Sequence, residues 1–205
     1  MKEKGIKNII LDFGGVLCEL HRQKCIDAFE ALGFKGVEYI VSKTHSTGPF
    51  TELELGNIST SDFHDNIRTY LYEHVTDQDI DDAWMLMLGT IPDYKKELLL
   101  RLKQDYRLFL LSNTNDIHWP FAKREIWPYK ENQLEDYFER IFLSYEMHLC
   151  KPDPAIFKKV LAETNIKAEE TIFIDDSPLS VEAAAQLGIQ THCAEMNEDW
   201  SNLFY

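Results

Sequence analysis

The chain has 205 residues, 44% of them hydrophobic, which is enough for one core domain with a modest insertion. Its 21 basic and 35 acidic residues give a formal charge of −14, which argues against nucleic acid as a main partner, because phosphate-backbone binding needs a basic patch. No segment has the pattern of a membrane span or signal peptide, and the four cysteines form no CxxC pair. We therefore expect a cytoplasmic protein with no membrane partner and with free thiols.

The first predicted element is a buried strand from Asn8 to Phe13, interrupted near its end by Asp12. A long segment, Glu19 to Gly89, separates it from the next strand and has helical patterns at residues 22–32, 62–74 and 80–88. A helical insertion at this point is typical of a mobile cap. We therefore predict a core domain of residues 1–18 and 90–205 and a helical cap domain of residues 19–89.

The rest of the chain alternates strands with amphipathic helices. The strands are predicted at residues 108–112, 140–144 and 171–175, with a weaker one at 189–193, and the helices at 92–104, 154–164 and 179–187. The strands are nearly continuous runs of Ile, Leu and Phe, which indicates that both faces are covered. Residues 115–137 are expected to be irregular, because Pro120 and Pro128 interrupt any long helix. This pattern predicts an α/β fold with a doubly wound, mostly parallel sheet.

Polar segments follow four of the predicted strands. They are Asp12-Phe13-Gly14, Ser112-Asn113-Thr114-Asn115, Lys151-Pro152-Asp153 and Asp175-Asp176-Ser177. Ligands of parallel α/β sheets bind beyond the carboxyl ends of the strands, so we expect these four segments to form one site.

In this order the four segments resemble the four motifs of the haloacid dehalogenase-like superfamily, most of whose members are phosphatases. The resemblance covers nearly the whole chain, and the sequence Leu-Ser-Asn-Thr-Asn at residues 111–115 is similar to the branch that contains the glucose-1-phosphate phosphatases. It implies a Rossmann-like core and Asp12 as the nucleophile. It also implies three ligands of the substrate phosphate, namely Ser112, Asn113 and Lys151.

The resemblance further implies a Mg²⁺ ion, held by Asp12, the main-chain carbonyl of Gly14 and Asp176, with Asp175 acting through water or from the edge of the site. A carboxylate can attack phosphorus and form an aspartyl phosphate, which divides one difficult hydrolysis into two easier steps. Attacker and substrate are both anionic, and Mg²⁺ and Lys151 can offset their repulsion. Adjacent carboxylates also repel each other unless a cation is near.

Gly14 departs from the family pattern, which has a second aspartate there to protonate the leaving group and later activate water. General acid–base help is typically worth ~10²–10⁴-fold. A phosphatase could obtain the proton elsewhere, and the candidates are His118, His45 and Glu52.

Two other interpretations of Gly14 stay open. One is a 2-haloacid dehalogenase, since halide needs no proton, although the two adjacent aspartates argue against it. The other is a catalytically degenerate module that binds a phosphate ligand or a protein, and the retained motif residues argue against that. The favoured prediction is a Mg²⁺-dependent phosphatase for a small phosphorylated metabolite such as a sugar phosphate. The sequence leaves its substrate and oligomeric state open.

Overall fold

A computed structural model describes residues 5–38, 48–127, 132–195 and 198–204. Five parallel strands form one sheet in the order β3-β2-β1-β4-β5. The strands are β1 Asn8–Leu11, β2 Arg107–Ser112, β3 Arg140–Leu143, β4 Thr171–Asp175 and β5 Gln190–Cys193. This order, with helices between successive strands, confirms the predicted α/β fold with a parallel, doubly wound sheet.

The central strand β1 is buried on both faces, as its continuous apolar run predicts. Ile9 and Leu11 belong to an apolar cluster on one side of the sheet, whereas Ile10 belongs to a cluster on the other side with Phe157 and Phe173. Side chains alternate between the two faces of a strand, so a strand covered on both faces needs apolar residues at every position.

Helices on the two faces lie within two residues of their predicted bounds. They are α5 Asp93–Leu102, α8 Pro154–Thr164 and α9 Pro178–Ala185. The Asp153 side chain accepts a hydrogen bond from the backbone N–H of Ala155, and the Ser177 hydroxyl accepts one from the backbone N–H of Ser180, so both α8 and α9 begin with a side-chain N-cap.

Four described helices fill the segment between β1 and α5: α1 Arg22–Ala31, α2 Pro49–Glu54, α3 Thr60–Arg68 and α4 Asp77–Met85. We refer to them as the helical insertion. Capping boxes that begin at Ser59 and Thr76 start α3 and α4 earlier than predicted. The prediction of helix through residue 74 is wrong, because the chain leaves α3 after Arg68 and Tyr72 bonds instead to the carbonyl of Leu32.

The helical insertion has an apolar cluster of its own. Phe29, Phe50, Phe63 and Trp84 pack together at its centre, and Ile117 is the member that comes from outside the insertion. No strand residue of the described chain belongs to this cluster. The insertion therefore buries its apolar side chains largely among its own helices.

The segment after β2 is irregular, as predicted. Helix α6 His118–Phe121 continues into a π-helical turn over Ala122–Ile126, and a 3₁₀ turn covers Leu134–Asp136. Pro120 lies in the first turn of α6, where the backbone N–H needs no partner. Pro128 lies outside the described residues.

Strand β3 ends one residue earlier than predicted, at Leu143, and Ser144 begins the short helix α7 Ser144–Met147. The buried hydroxyl of Ser144 donates to the carbonyl of Thr114 and accepts from its N–H. These bonds join the start of α7 to the loop after β2.

The loop after β1 is held by two buried side chains that are distant in the sequence. The carbonyl of Val16 accepts hydrogen bonds from Lys95 Nζ at 2.5 Å and from Trp200 Nε1 at 3.0 Å. A buried carbonyl costs free energy if it is left unpaired, so these two donors fix the course of the loop that begins at Asp12. No helix within the described ranges has the length and apolarity that crossing a membrane requires.

Candidate active site

The four polar segments meet at the carboxyl edge of the sheet and line one cavity of about 310 Å³. All seven site residues predicted from the sequence line it: Asp12, Gly14, Ser112, Asn113, Lys151, Asp175 and Asp176. The opposite wall comes mainly from the helical insertion and includes Arg22, Phe50, Glu54 and Trp84. The cavity thus lies between the sheet edge and the insertion.

Lys151 lies at the centre of the charged groups. Its Nζ is 2.7 Å from Asp12 Oδ1 and 2.6 Å from Asp175 Oδ2, and it donates to the carbonyl of Leu111 at 3.0 Å. Burial by itself lowers the pKa of Lys151, but the two carboxylates outweigh burial and raise it above its usual range. The side chain is therefore a fixed ammonium.

The backbone of Lys151 is held by the side chain of Asn113. Asn113 Oδ1 accepts from the Lys151 N–H and Asn113 Nδ2 donates to the Lys151 carbonyl, each at 2.9 Å. The Asn113 side chain therefore positions Lys151, and a contact of this residue with phosphate would come from its backbone N–H. Among the described residues, the Ser112 hydroxyl makes only a long bond of 3.4 Å, to the carbonyl of Asn113, and it can turn towards a ligand.

Three carboxylates lie close enough to share a cation. Asp12, Asp175 and Asp176 each offer an oxygen, and these oxygens lie within 4.8 Å of one another. Burial, and then the two neighbouring carboxylates, raise the pKa of Asp12, and burial followed by Asp175 raises that of Asp176. Negative charge therefore exceeds what Lys151 compensates, and this donor set suits a hard divalent cation such as Mg²⁺.

The two adjacent aspartates differ in their partners. Asp175 is fully engaged, since Oδ2 accepts from Lys151 and Oδ1 accepts from the N–H of Ser177 at 2.7 Å. Asp176 Oδ2 has a longer contact, 3.6 Å from Arg22 Nη2. Gly15 has a φ of +79°, and a Cβ added there would lie 2.6 Å from Asp176 Oδ2. Glycine at position 15 therefore lets the loop approach Asp176 closely, and Asp176 is the freer of the two carboxylates.

None of the described proton-donor candidates from the sequence is suited to that role. His118 is buried, stacks on the Trp84 ring and places Nε2 2.9 Å from the Trp84 carbonyl. Burial lowers the pKa of His118 to about 4, so the ring is neutral at pH 7 and its Nε2 proton is donated to that carbonyl. Glu52 accepts from Asn57 at 2.9 Å and does not line the cavity. His45 lies outside the described residues.

The sequence pattern missed two features of the cavity. A Cβ on Gly14 would lie 3.1 Å from Leu20 Cδ2, so Leu20 fills the space beside Gly14. Glu54, at the end of α2, lines the cavity, and burial raises its pKa to about 7 although Lys151 opposes this. The Gly48-Pro49 pair indicates in the sequence that a helix begins there, because Pro is common at the first helical position. That helix, α2, carries Glu54.

Comparisons with known proteins agree on one family. Residues 6–188 match the model described as haloacid dehalogenase-like hydrolase. D-ribitol-5-phosphate phosphatase of Bacteroides thetaiotaomicron is 32% identical over 195 residues, which is 95% of both chains. A crystal structure of a family enzyme from that organism, in complex with magnesium and inorganic phosphate, is 44% identical, covers 98% of this chain and 100% of its own, and has a TM-score of 0.91. A predicted family hydrolase from Porphyromonas gingivalis is 35% identical, with coverages of 95% and 94% and a TM-score of 0.87.

Proposed function

Because this chain belongs to the haloacid dehalogenase-like hydrolases, as its motifs predicted, we propose that it is a Mg²⁺-dependent phosphatase that hydrolyses a small phosphomonoester through a phosphorylated Asp12. The observation that carries the proposal is the buried contact of 2.7 Å between Lys151 and Asp12, beside a cluster of three carboxylates. A carboxylate held by an ammonium next to a cation site suits attack on an anionic phosphoryl group.

The residues of this chain divide the chemistry among them. Asp12 attacks phosphorus and forms an acyl phosphate as the bond to the leaving alcohol breaks, while Lys151 orients Asp12 and neutralises a phosphoryl oxygen. The Ser112 hydroxyl and the backbone N–H of Asn113 donate to the other oxygens. Water then attacks the aspartyl phosphate, which releases inorganic phosphate and restores the Asp12 carboxylate.

The proposed ligands of Mg²⁺ are Asp12, the Gly14 carbonyl and Asp176, and Asp175 supports the site from beside Lys151. The magnesium and phosphate bound to the relative of known structure support this assignment. When bound, Mg²⁺ acts as a Lewis acid and reduces the repulsion between the nucleophile and the phosphoryl group.

The substrate is proposed to be a phosphorylated sugar or polyol. The name of the ribitol phosphate phosphatase supports this class, as does a cavity volume of about 310 Å³ that suits a compact metabolite. The separate apolar cluster of the insertion supports the division into a core of residues 1–18 and 90–205 and a cap of residues 19–89. We expect the cap to select the substrate. Location in the cytoplasm and the lack of a nucleic-acid partner stay predictions from the sequence.

The test is phosphate release from a panel of sugar and polyol phosphates that includes ribitol 5-phosphate, with and without Mg²⁺. Wild-type protein should turn over at least one of them, and Asp12→Asn should reduce turnover to background. Undiminished turnover by Asp12→Asn would contradict the nucleophile assignment. Chloride release from 2-chloropropionate would identify the dehalogenase alternative, and inactivity on both panels would favour the binding module.

A further inference from the structure

Position 14 cannot supply the proton that an alkyl leaving group needs. Gly14 has no side chain, and Leu20 occupies the adjoining space, 3.1 Å from where a Cβ would lie. An alkoxide is a poor leaving group unless it is protonated as the P–O bond breaks. If the proposed function holds, another group in the cavity has to hold that proton.

Most described titratable side chains that line the cavity are unsuited to this role. Three are the aspartates of the proposed cation site, Lys151 is paired with two of them, and Arg22 is a permanent cation. His118 is neutral and donates its proton to a carbonyl. The thiol of Cys150 has its pKa raised to about 12 by burial, so it is a weak acid. Among the described residues that line the cavity, Glu54 is the remaining titratable group.

The end of α2 that carries Glu54 is attached to the segment that leads to Lys151. The Glu54 carbonyl accepts from Cys150 Sγ at 3.6 Å, and the Leu55 carbonyl accepts from His148 Nδ1 at 2.9 Å. At Gly56, with φ of +65°, an added Cβ would lie 2.2 Å from the Tyr145 carbonyl, so only glycine allows this close approach. Glu54 is thereby fixed against the core.

The Glu54 carboxyl lines the same cavity as Lys151 and Cys150 and lies near enough to interact electrostatically with both. Within the described ranges it has no hydrogen bond and no ion pair, in contrast to Glu52 on the same helix, which is bonded to Asn57. Burial raises the pKa of Glu54 to about 7, so both of its protonation states are populated near neutral pH. A carboxyl that exchanges its proton at this pH is suited to general acid–base catalysis.

We propose that Glu54 is the general acid and base of this enzyme, in place of the aspartate that position 14 lacks. As Asp12 attacks phosphorus and the bond to the leaving oxygen breaks, the Glu54 carboxyl gives that oxygen its proton, and the alcohol leaves. The Glu54 carboxylate then takes a proton from the water that attacks the aspartyl phosphate. The bond between Asp12 and phosphorus breaks, inorganic phosphate leaves, and both carboxyl groups return to their starting states.

The experiment compares wild-type protein with Glu54→Gln, using Glu52→Gln as the matched control on the same helix but outside the cavity. One substrate is the alkyl phosphate turned over fastest, and the other is p-nitrophenyl phosphate, whose leaving group needs no proton. Glu54→Gln should lower kcat on the alkyl phosphate by ~10²–10⁴-fold. With p-nitrophenyl phosphate it should release one equivalent of p-nitrophenol per enzyme rapidly and then turn over slowly, because only the water step needs the base. Glu52→Gln should match wild type on both substrates.

Wild-type protein gives a reading that no folding defect can affect. Its rate on the alkyl phosphate should fall as pH rises through about 7, where Glu54 loses its proton, and the rate at which it releases the first equivalent of p-nitrophenol in a single turnover should not fall. The proposal is overturned if Glu54→Gln keeps alkyl phosphatase activity within about twofold, if the folded variant shows no burst, or if the alkyl rate of wild type does not fall. If wild type hydrolyses no phosphate ester at all, the proposed function fails as well, so the two failures are distinguishable.

Discussion

Lys151 Nζ lies 2.7 Å from Asp12 Oδ1 in a site where both residues are buried. The same ammonium contacts Asp175, and Arg22 lies 3.6 Å from Asp176, so two positive charges offset the three carboxylates incompletely. A buried pair of this kind contributes little net stability, but removal of one partner leaves a buried charge and is costly. The pair therefore links the integrity of the site to the stability of the fold.

Replacement of Lys151 should expose this link. We expect Lys151→Met to lower the free energy of unfolding at pH 7 by about 3–5 kcal/mol, because Asp12 and Asp175 lose their common partner. The loss should be smaller at pH 5, because Lys151 lowers the pKa of Asp12, so its removal raises that pKa further above the unfolded value, and protonation of Asp12 then favours the folded state. Urea unfolding at both pH values measures this. As a control, replacement of the exposed Lys24 by Met should change the free energy of unfolding by no more than about 0.5 kcal/mol. An equal loss of stability at pH 7 and pH 5 in Lys151→Met would contradict the explanation.

Binding of Mg²⁺ should be visible without any turnover. A ligand that binds the folded state alone stabilises it by about 2.7 kcal/mol at a concentration of 100 times Kd, so Mg²⁺ should raise Tm and EDTA should reverse the change. Asp176→Asn should abolish most of this shift, because Asp176 is the freer carboxylate of the cluster. The exposed Asp65→Asn should preserve it. A full shift in Asp176→Asn would exclude this residue as a ligand.

His118 should make the fold sensitive to acid. Burial lowers its pKa from 6.5 to about 4. His118 therefore binds a proton below pH 6.5 in the unfolded chain but only below about pH 4 in the folded chain. This difference removes about 3 kcal/mol of stability as pH falls through that window. His118→Gln should flatten the pH dependence of the free energy of unfolding between pH 6.5 and 4, whereas the exposed His74→Gln should not. An unchanged slope in His118→Gln would show that another group is responsible.

The two donors to the Val16 carbonyl should act together. Trp200→Phe removes one donor and keeps an aromatic side chain. Because Lys95 still donates to the carbonyl, we expect the free energy of unfolding to fall by an amount at the low end of about 1–3 kcal/mol. With Lys95→Met in the same chain, the carbonyl has neither donor. The double variant should therefore lose more than the sum of the two single losses. Urea unfolding of the four proteins of this double-mutant cycle measures the difference, and additive losses would show that the two bonds are independent.

The site at the sheet edge could be predicted because it depends on strand ends. Each of β1, β2 and β4 is an apolar run that is followed or ended by a polar residue. Parallel pairing brings the carboxyl ends of these strands, and therefore these polar residues, to the same edge of the sheet. For this reason Asp12, Ser112 and Asp175 were placed correctly along one edge. Lys151 follows a loop and the short helix α7, and here the motif, rather than the strand pattern, identified the residue.

The proton donor could not be predicted in the same way. Burial decides whether a carboxyl or an imidazole holds a proton near pH 7, and burial arises from contacts between distant segments. His118 has a common acid–base side chain, but its contact with Trp84 makes it neutral. Glu54 and Glu52 are two positions apart on a six-residue helix, too short for an apolar period to show which side chain faces the cavity.

The bond from Trp200 to Val16 spans 184 positions of the sequence, and it closes the loop that carries the nucleophile. Strand β1 likewise pairs with strands that are synthesised much later, whereas the helices of the insertion pack mainly on one another. Long-range pairing slows folding, because loop-closure entropy is lost before the contacts form. During synthesis the insertion can therefore fold before β2 and β4 are available to pair with β1. The active site forms only after that pairing, so catalytic competence is among the last properties that the nascent chain acquires.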